Sequence, residues 1–160
     1  MQDIIARLRA GKKNDEGFTL IELLVVVVII GVLVAIAVPV YMNYRQGAAD
    51  KAAQSDVRGA ISAVEQFYTA NSNAYPKKAE NTTGDGASIK LEAKSGATLQ
   101  EGKITVSDGT KLYYVPGAND SSPYKICAAN DGGTSGKWFL YDSDGSLSEK
   151  TGGLKADCAL

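Results

Sequence analysis

Histidine is absent from all 160 residues, and cysteine occurs only twice. The first absence removes the commonest general base and a principal zinc ligand. Serine occurs in polar, turn-like stretches with no imidazole to activate it, so no catalytic residue is assigned and an enzyme is the least favoured reading. A surplus of either charge is missing too. Seventeen basic residues stand against 18 acidic ones, and beyond Val38 the balance is 13 to 14. No strong field draws in nucleic acid, so DNA is a partner that net charge leaves unsupported. No metal or cofactor is expected.

What the chain does have is a long apolar run. From Phe18 to Val38 there are 21 residues, and only Glu22 is charged. As a helix rising about 1.5 Å per residue, the run matches the ~30 Å hydrocarbon core of a bilayer. It exceeds the ~7–15 residues of a signal-peptide core, which argues against secretory cleavage after Ala35-Ile36-Ala37. Arg7, Arg9, Lys12 and Lys13 precede the run and hold that end in the cytoplasm. A carboxylate near the end of a membrane helix is costly, so Glu22 needs a purpose. The bland one is a side chain that snorkels toward the headgroups of an ordinary signal anchor.

Gly17-Phe18-Thr19-Leu20-Ile21-Glu22, running into unbroken apolar sequence, resembles the prepilin processing and methylation motif of the type IV pilin family. The resemblance extends through Pro39 and the following helix to Tyr75-Pro76. Tyr41-Met42-Asn43, Ser55-Asp56-Val57-Arg58, Phe67-Tyr68 and Tyr75-Pro76 look similar to Gram-positive, particularly actinobacterial, pilins. It implies cleavage between Gly17 and Phe18 by a prepilin peptidase, then N-methylation of Phe18. Cleavage frees a cationic α-amine, and in a filament of packed apolar helices Glu22 of one subunit neutralises the amine of its neighbour. Such a pair is far stronger in a low-dielectric bundle than in water. The resemblance further implies a pilus-assembly ATPase and a platform protein as partners, and a homo-oligomeric helical filament as the product.

The domain reading follows: leader 1–17, membrane and filament-core helix 18–38, extracytoplasmic head 39–160. Pro39 removes a backbone bond and is expected to kink the helix. A continuous or gently broken helix to about Asn71 rises roughly 80 Å, far beyond any bilayer. Its second half, 40–71, is amphipathic. Ala53, Val57, Ala60, Ile61, Val64, Phe67 and Tyr68 recur at three- and four-residue steps and form a core-facing stripe. Pro76 ends the helix region, and 72–87 reads as a loop whose Lys77 to Gly86 part is polar and exposed.

The sheet and disulfide loop occupy 88–160. Strand signals lie near Ser88–Glu92, Lys103–Ser107, Lys111–Val115, Tyr124–Ala129 and Lys137–Tyr141. The expectation is an α+β fold with an antiparallel sheet of about four strands. Ser107-Asp108-Gly109-Thr110 is read as a tight hairpin, and Ile104, Val106, Ile126 and Leu140 as core. Cys127 and Cys158 both lie beyond the apolar run, which fits an oxidising compartment; with no histidine or further cysteine, a disulfide is the simple reading. Such a loop also looks like the C-terminal disulfide-bounded loop of many pilins. Asn81-Thr82-Thr83 is a glycosylation sequon, and Asp142, Asp144 and Ser146 vaguely suggest a calcium loop that lacks the bidentate Glu.

The leading function is therefore a structural subunit of a type IV pilus, serving adhesion, motility or DNA uptake. The precursor is expected in the cytoplasmic membrane and the assembled subunit in an extracellular pilus. The alternatives are a type II secretion pseudopilin and a membrane-anchored binding domain that never polymerises.

Overall fold

The computed structural model describes residues 17–94, 100–119, 122–154 and 158. The chain divides into two compact units, one ending at Tyr41 and one beginning at Met42. Helix α1 is assigned without interruption from Leu20 to Ala70, with Pro39 inside it. Proline has no N–H to offer the carbonyl of Ala35, so the helix lacks one rung there.

In the first unit the apolar run is almost wholly helical. Among the described residues, the large apolar side chains left exposed all lie between Phe18 and Tyr44. In the second unit the helix is amphipathic as its spacing requires. Ala53, Val57, Ala60, Val64 and Phe67 are buried, and Ile61 packs against them. After Ala70 the chain turns through Ser72 and Asn73, both at positive φ (57° and 59°), and the Asn73 N–H donates to the Tyr68 carbonyl at 3.0 Å. Asparagine tolerates this left-handed geometry better than most residues, and it caps the last turn.

The strands are β1 (Ala79–Asn81), β2 (Ile89–Leu91), β3 (Gly102–Ile104), β4 (Thr110–Val115), β5 (Lys125–Asn130), β6 (Lys137–Asp142) and β7 (Ser148–Thr151). Five form one antiparallel sheet in the order β1-β4-β5-β6-β7, and among the described residues β2 and β3 form a separate two-stranded sheet. The α+β class is as expected, with more strands than expected. The five-stranded sheet is covered on both faces. Leu112, Tyr114, Ile126, Ala128 and Phe139 join the helix stripe in one core. Tyr113, Cys127, Trp138 and Cys158 form a second cluster on the opposite face.

Three expectations need correction. The 107–110 turn is no hairpin, because β3 and β4 do not pair with each other. Asp56 on the helix binds Ser107 twice, through its N–H at 2.9 Å and its hydroxyl at 2.8 Å. That contact takes the chain out of the β2–β3 pair and delivers it to the large sheet. The polar stretch 77–86 is not simply an exposed loop, since β1 pairs with β4 there and Asn81 is buried. Leu140 lies in the second cluster, partly exposed, whereas its neighbour Phe139 reaches the helix-side core. Ile104, Val106 and Ile126 are buried as expected.

Candidate functional site

Gly17, Phe18 and Thr19 precede the helix, and Phe18 is 87% exposed. Thr19 and Glu22 then close on each other. The Thr19 N–H donates to Glu22 Oε2 at 2.8 Å and the Thr19 hydroxyl donates to the same oxygen at 2.7 Å. In return the Glu22 N–H donates to Thr19 Oγ1 at 3.3 Å. This is a capping box: a threonine at the N-cap and a glutamate three residues on satisfy each other's otherwise orphaned backbone donors. Glu22 is therefore engaged within its own chain. The sequence reading missed this, although Thr-x-x-Glu ahead of an apolar run signals it.

The head is fastened to its helix by polar contacts that the sequence reading also missed. Asp50 is buried and accepts from the Thr134 N–H (2.9 Å) and hydroxyl (2.8 Å), while Lys137 Nζ stands 3.5 Å away. Lys137 is held more basic than usual by Glu149, at 2.9 Å, and by Asp50. Glu65 accepts from the Tyr124 hydroxyl at 2.6 Å and from the Tyr75 hydroxyl at 3.4 Å. Burial, then the contact with Glu65, push the Tyr124 phenol far above its ordinary value. Asn71 and Gln100 exchange bonds at 3.1 Å, tying the end of the helix to the β3 side.

Cys127 and Cys158 form a disulfide. It joins a central strand to the chain end over the face opposite the helix. The Asn81 amide is buried and makes five hydrogen bonds, donating to Asp85 and Ala87 and accepting from Thr83 twice and Gly84 once. Both amide hydrogens are thus occupied inside the fold. At 142–145 the chain closes a simple turn, with Gly145 N–H donating to the Asp142 carbonyl at 2.9 Å. Among the described residues no group of three or more His, Cys, Asp or Glu side chains is placed to hold a metal. Of the expected leader 1–17, residues 1–16 lie outside the described residues.

The family model for the prokaryotic N-terminal methylation motif matches residues 12–38. A type IV major pilin protein, PilE1, of Neisseria gonorrhoeae is 32% identical over 128 residues, covering 78% of this chain and 74% of that protein. The chain belongs to the type IV pilin family. A type II secretion system core protein G of Pseudomonas aeruginosa is 34% identical over 153 residues, covering 93% of this pilin and 95% of that protein. A fimbrial protein of Pseudomonas aeruginosa is 36% identical over 92 residues, covering 55% and 60%. These relatives lend no support to the actinobacterial leaning. No solved structure matches. The family is a structural one, and the motif with its apolar helix makes this pilin a membrane-anchored precursor destined for an extracellular fibre.

Proposed function

We propose that the chain is the repeating subunit of a type IV pilus. A prepilin peptidase cuts between Gly17 and Phe18, Phe18 is N-methylated, and the apolar helix passes from the bilayer into the filament core. The assembly ATPase and the platform protein are supplied by other chains. The observation that carries the reading is the exposed apolar surface from Phe18 to Tyr44, most of it within the methylation motif matched over residues 12–38. That surface needs a nonaqueous cover at every stage. Lipid serves before assembly and neighbouring helices serve afterwards, at no loss of burial. Glu22 supplies the negative charge that compensates the freed amine inside this apolar packing.

A second reading is favoured by one observation, the near full-length match to a type II secretion core protein. On that reading the filament is a short pseudopilus rather than a surface fibre. Electron microscopy of sheared surface material, with the N-terminal mass of its main protein, separates the two. Long fibres built from a chain starting at methylated Phe18 are expected. Fibres that appear only as short periplasmic rods transfer the protein to the pseudopilin reading. A chain that stays uncut and monomeric in the membrane overturns both.

A further inference from the structure

The β2–β3 sheet buries one face and leaves the other to solvent. Ile89, Leu91 and Ile104 join the helix-side core, so Lys90 and Lys103 stand on the opposite, exposed face. The two lysines are register partners. Directly opposed side chains on antiparallel strands have Cβ atoms about 4.5–5.5 Å apart, and like charges there repel. Among the described residues neither ammonium enters an ion pair or a hydrogen bond. Two residues on, just past the end of β2 and just before the start of β3, the sign reverses at exposed Glu92 and Glu101. That step is about 7 Å along the strands. Glu92 binds Lys77 through one carboxylate oxygen, leaving the other unpaired among the described residues.

Two cations therefore lie side by side next to two anions, with no net charge over the four. A polymer of one sign gains at one pair and loses at the other. A copy of the same face fits both. Turned over about a two-fold axis that lies in the contact plane and crosses the strands, it sets Lys90 over Glu92 and Lys103 over Glu101, and the reverse. We propose that the exposed face of β2 and β3 docks on the same face of a second copy through these four ion pairs. The contact closes on itself after two copies, so it does not propagate a fibre. It is a head-to-head contact separate from the apolar helix packing, and it goes beyond the filament reading without depending on it. Exposed pairs are individually weak and screened by salt, so the docking is reversible. Where heads are already arrayed, repetition strengthens it.

The test uses the full chain in detergent micelles, as an equal mixture of ordinary and nitrogen-15-labelled protein. A carbodiimide condenses touching ammonium and carboxylate groups into amides, and mass spectrometry counts the links that join a light chain to a heavy one. Mixed links Lys90–Glu92 and Lys103–Glu101 are expected, falling several-fold at about 1 M salt, where the Debye length is about 3 Å. Charge reversal then decides the matter. Lys90→Glu with Lys103→Glu makes the face wholly acidic, and Glu92→Lys with Glu101→Lys makes it wholly basic. Each reversed chain is expected to lose the salt-sensitive self-association by sedimentation, and a mixture of the two to regain it. Unchanged fluorescence of buried Trp138 verifies that the heads stay folded. Self-association of either reversed chain at wild-type strength, or a wild type without mixed links at this face, overturns the proposal. Polyphosphate binding that needs the two lysines, in a wild type that forms no mixed links, overturns it in favour of a polyanion.

Discussion

Asp50 is the first buried residue of the helix. Its carboxylate takes two hydrogen bonds from Thr134, and the chain comes so close at Gly133 that a Cβ there would collide with Asp50 Oδ1. Hydrogen bonds to a charged group contribute roughly 1.5–3 kcal/mol each. Thr134 is exposed, so its donors regain water when the acid is removed, and the lower end applies. Asp50→Ala is therefore expected to destabilise the head by about 2–3 kcal/mol. Gly133→Ala forces the carboxylate aside and is expected to cost about 1–3 kcal/mol, as overpacking does. In the double variant the collision partner is gone, so the two losses fall short of additivity by about 1–2 kcal/mol. Part of the Gly133 cost persists, because the Asn130 carbonyl lies 3.1 Å from the added carbon. Urea unfolding of the full chain in detergent, followed through the single tryptophan, buried Trp138, measures all four corners of the cycle. Additive losses, or an Asp50→Ala variant as stable as wild type, would refute the clamp.

Breaking the disulfide with Cys127→Ser and Cys158→Ser releases a loop with a sequence separation of 31. The expected loss is about 3–4 kcal/mol on the chain-entropy model, read as a lower urea midpoint. Tyr124 is held neutral in the fold by burial and by Glu65, so its folded-state proton is bound more tightly than in the unfolded chain. The contribution is intact below the unfolded tyrosine value of about 10 and declines as pH rises above it, so the head should lose stability in alkali. Glu65→Gln is expected to weaken that alkaline decline, and unfolding midpoints between pH 8 and 11 check it. Asp85 behaves with the opposite sign: bonds from Ala87, Asn81 and Thr83 hold its carboxyl below the usual range. Stability from this loop is present above the unfolded aspartate value of about 3.9 and is lost as pH falls through the lower folded one. Hydrogen exchange of the 81–87 amides on acidification reports it directly.

What was legible in the sequence is what a local period or a short motif can carry. The stripe from Ala53 to Phe67 is visible because a helix returns to the same face every three or four residues, and all of it is buried or half-buried. The five strand signals lie where β2 to β6 form, since β-branched and aromatic runs between turn residues have few other uses. Alternation along Trp138-Phe139-Leu140-Tyr141 sorts the side chains onto two faces but cannot say which face meets the helix when both are covered, hence the misplacement of Leu140. The false hairpin and the hidden Asn81 have a different cause. In each, a polar side chain is satisfied inside the fold, and polar composition alone imitates an exposed turn. Asp50 and Asp56 are harder still, because their partners lie 84 and 51 residues away. A helix carboxylate with no near partner reads as a solvated flank.

Glu22 reverses that lesson. It reads from sequence as an acid with no partner on its own helix, yet Thr19 stands three residues back and donates to it twice. Membrane depth sharpens the consequence. In water an unsatisfied carboxylate can wait for its counter-charge, but beside hydrocarbon each polar group must be satisfied at every stage. Among the described residues, Thr19 satisfies Glu22 through its amide and its hydroxyl. The sequence order Thr19-x-x-Glu22 thus supplies a carboxylate and the two donors that hold it within one turn of helix.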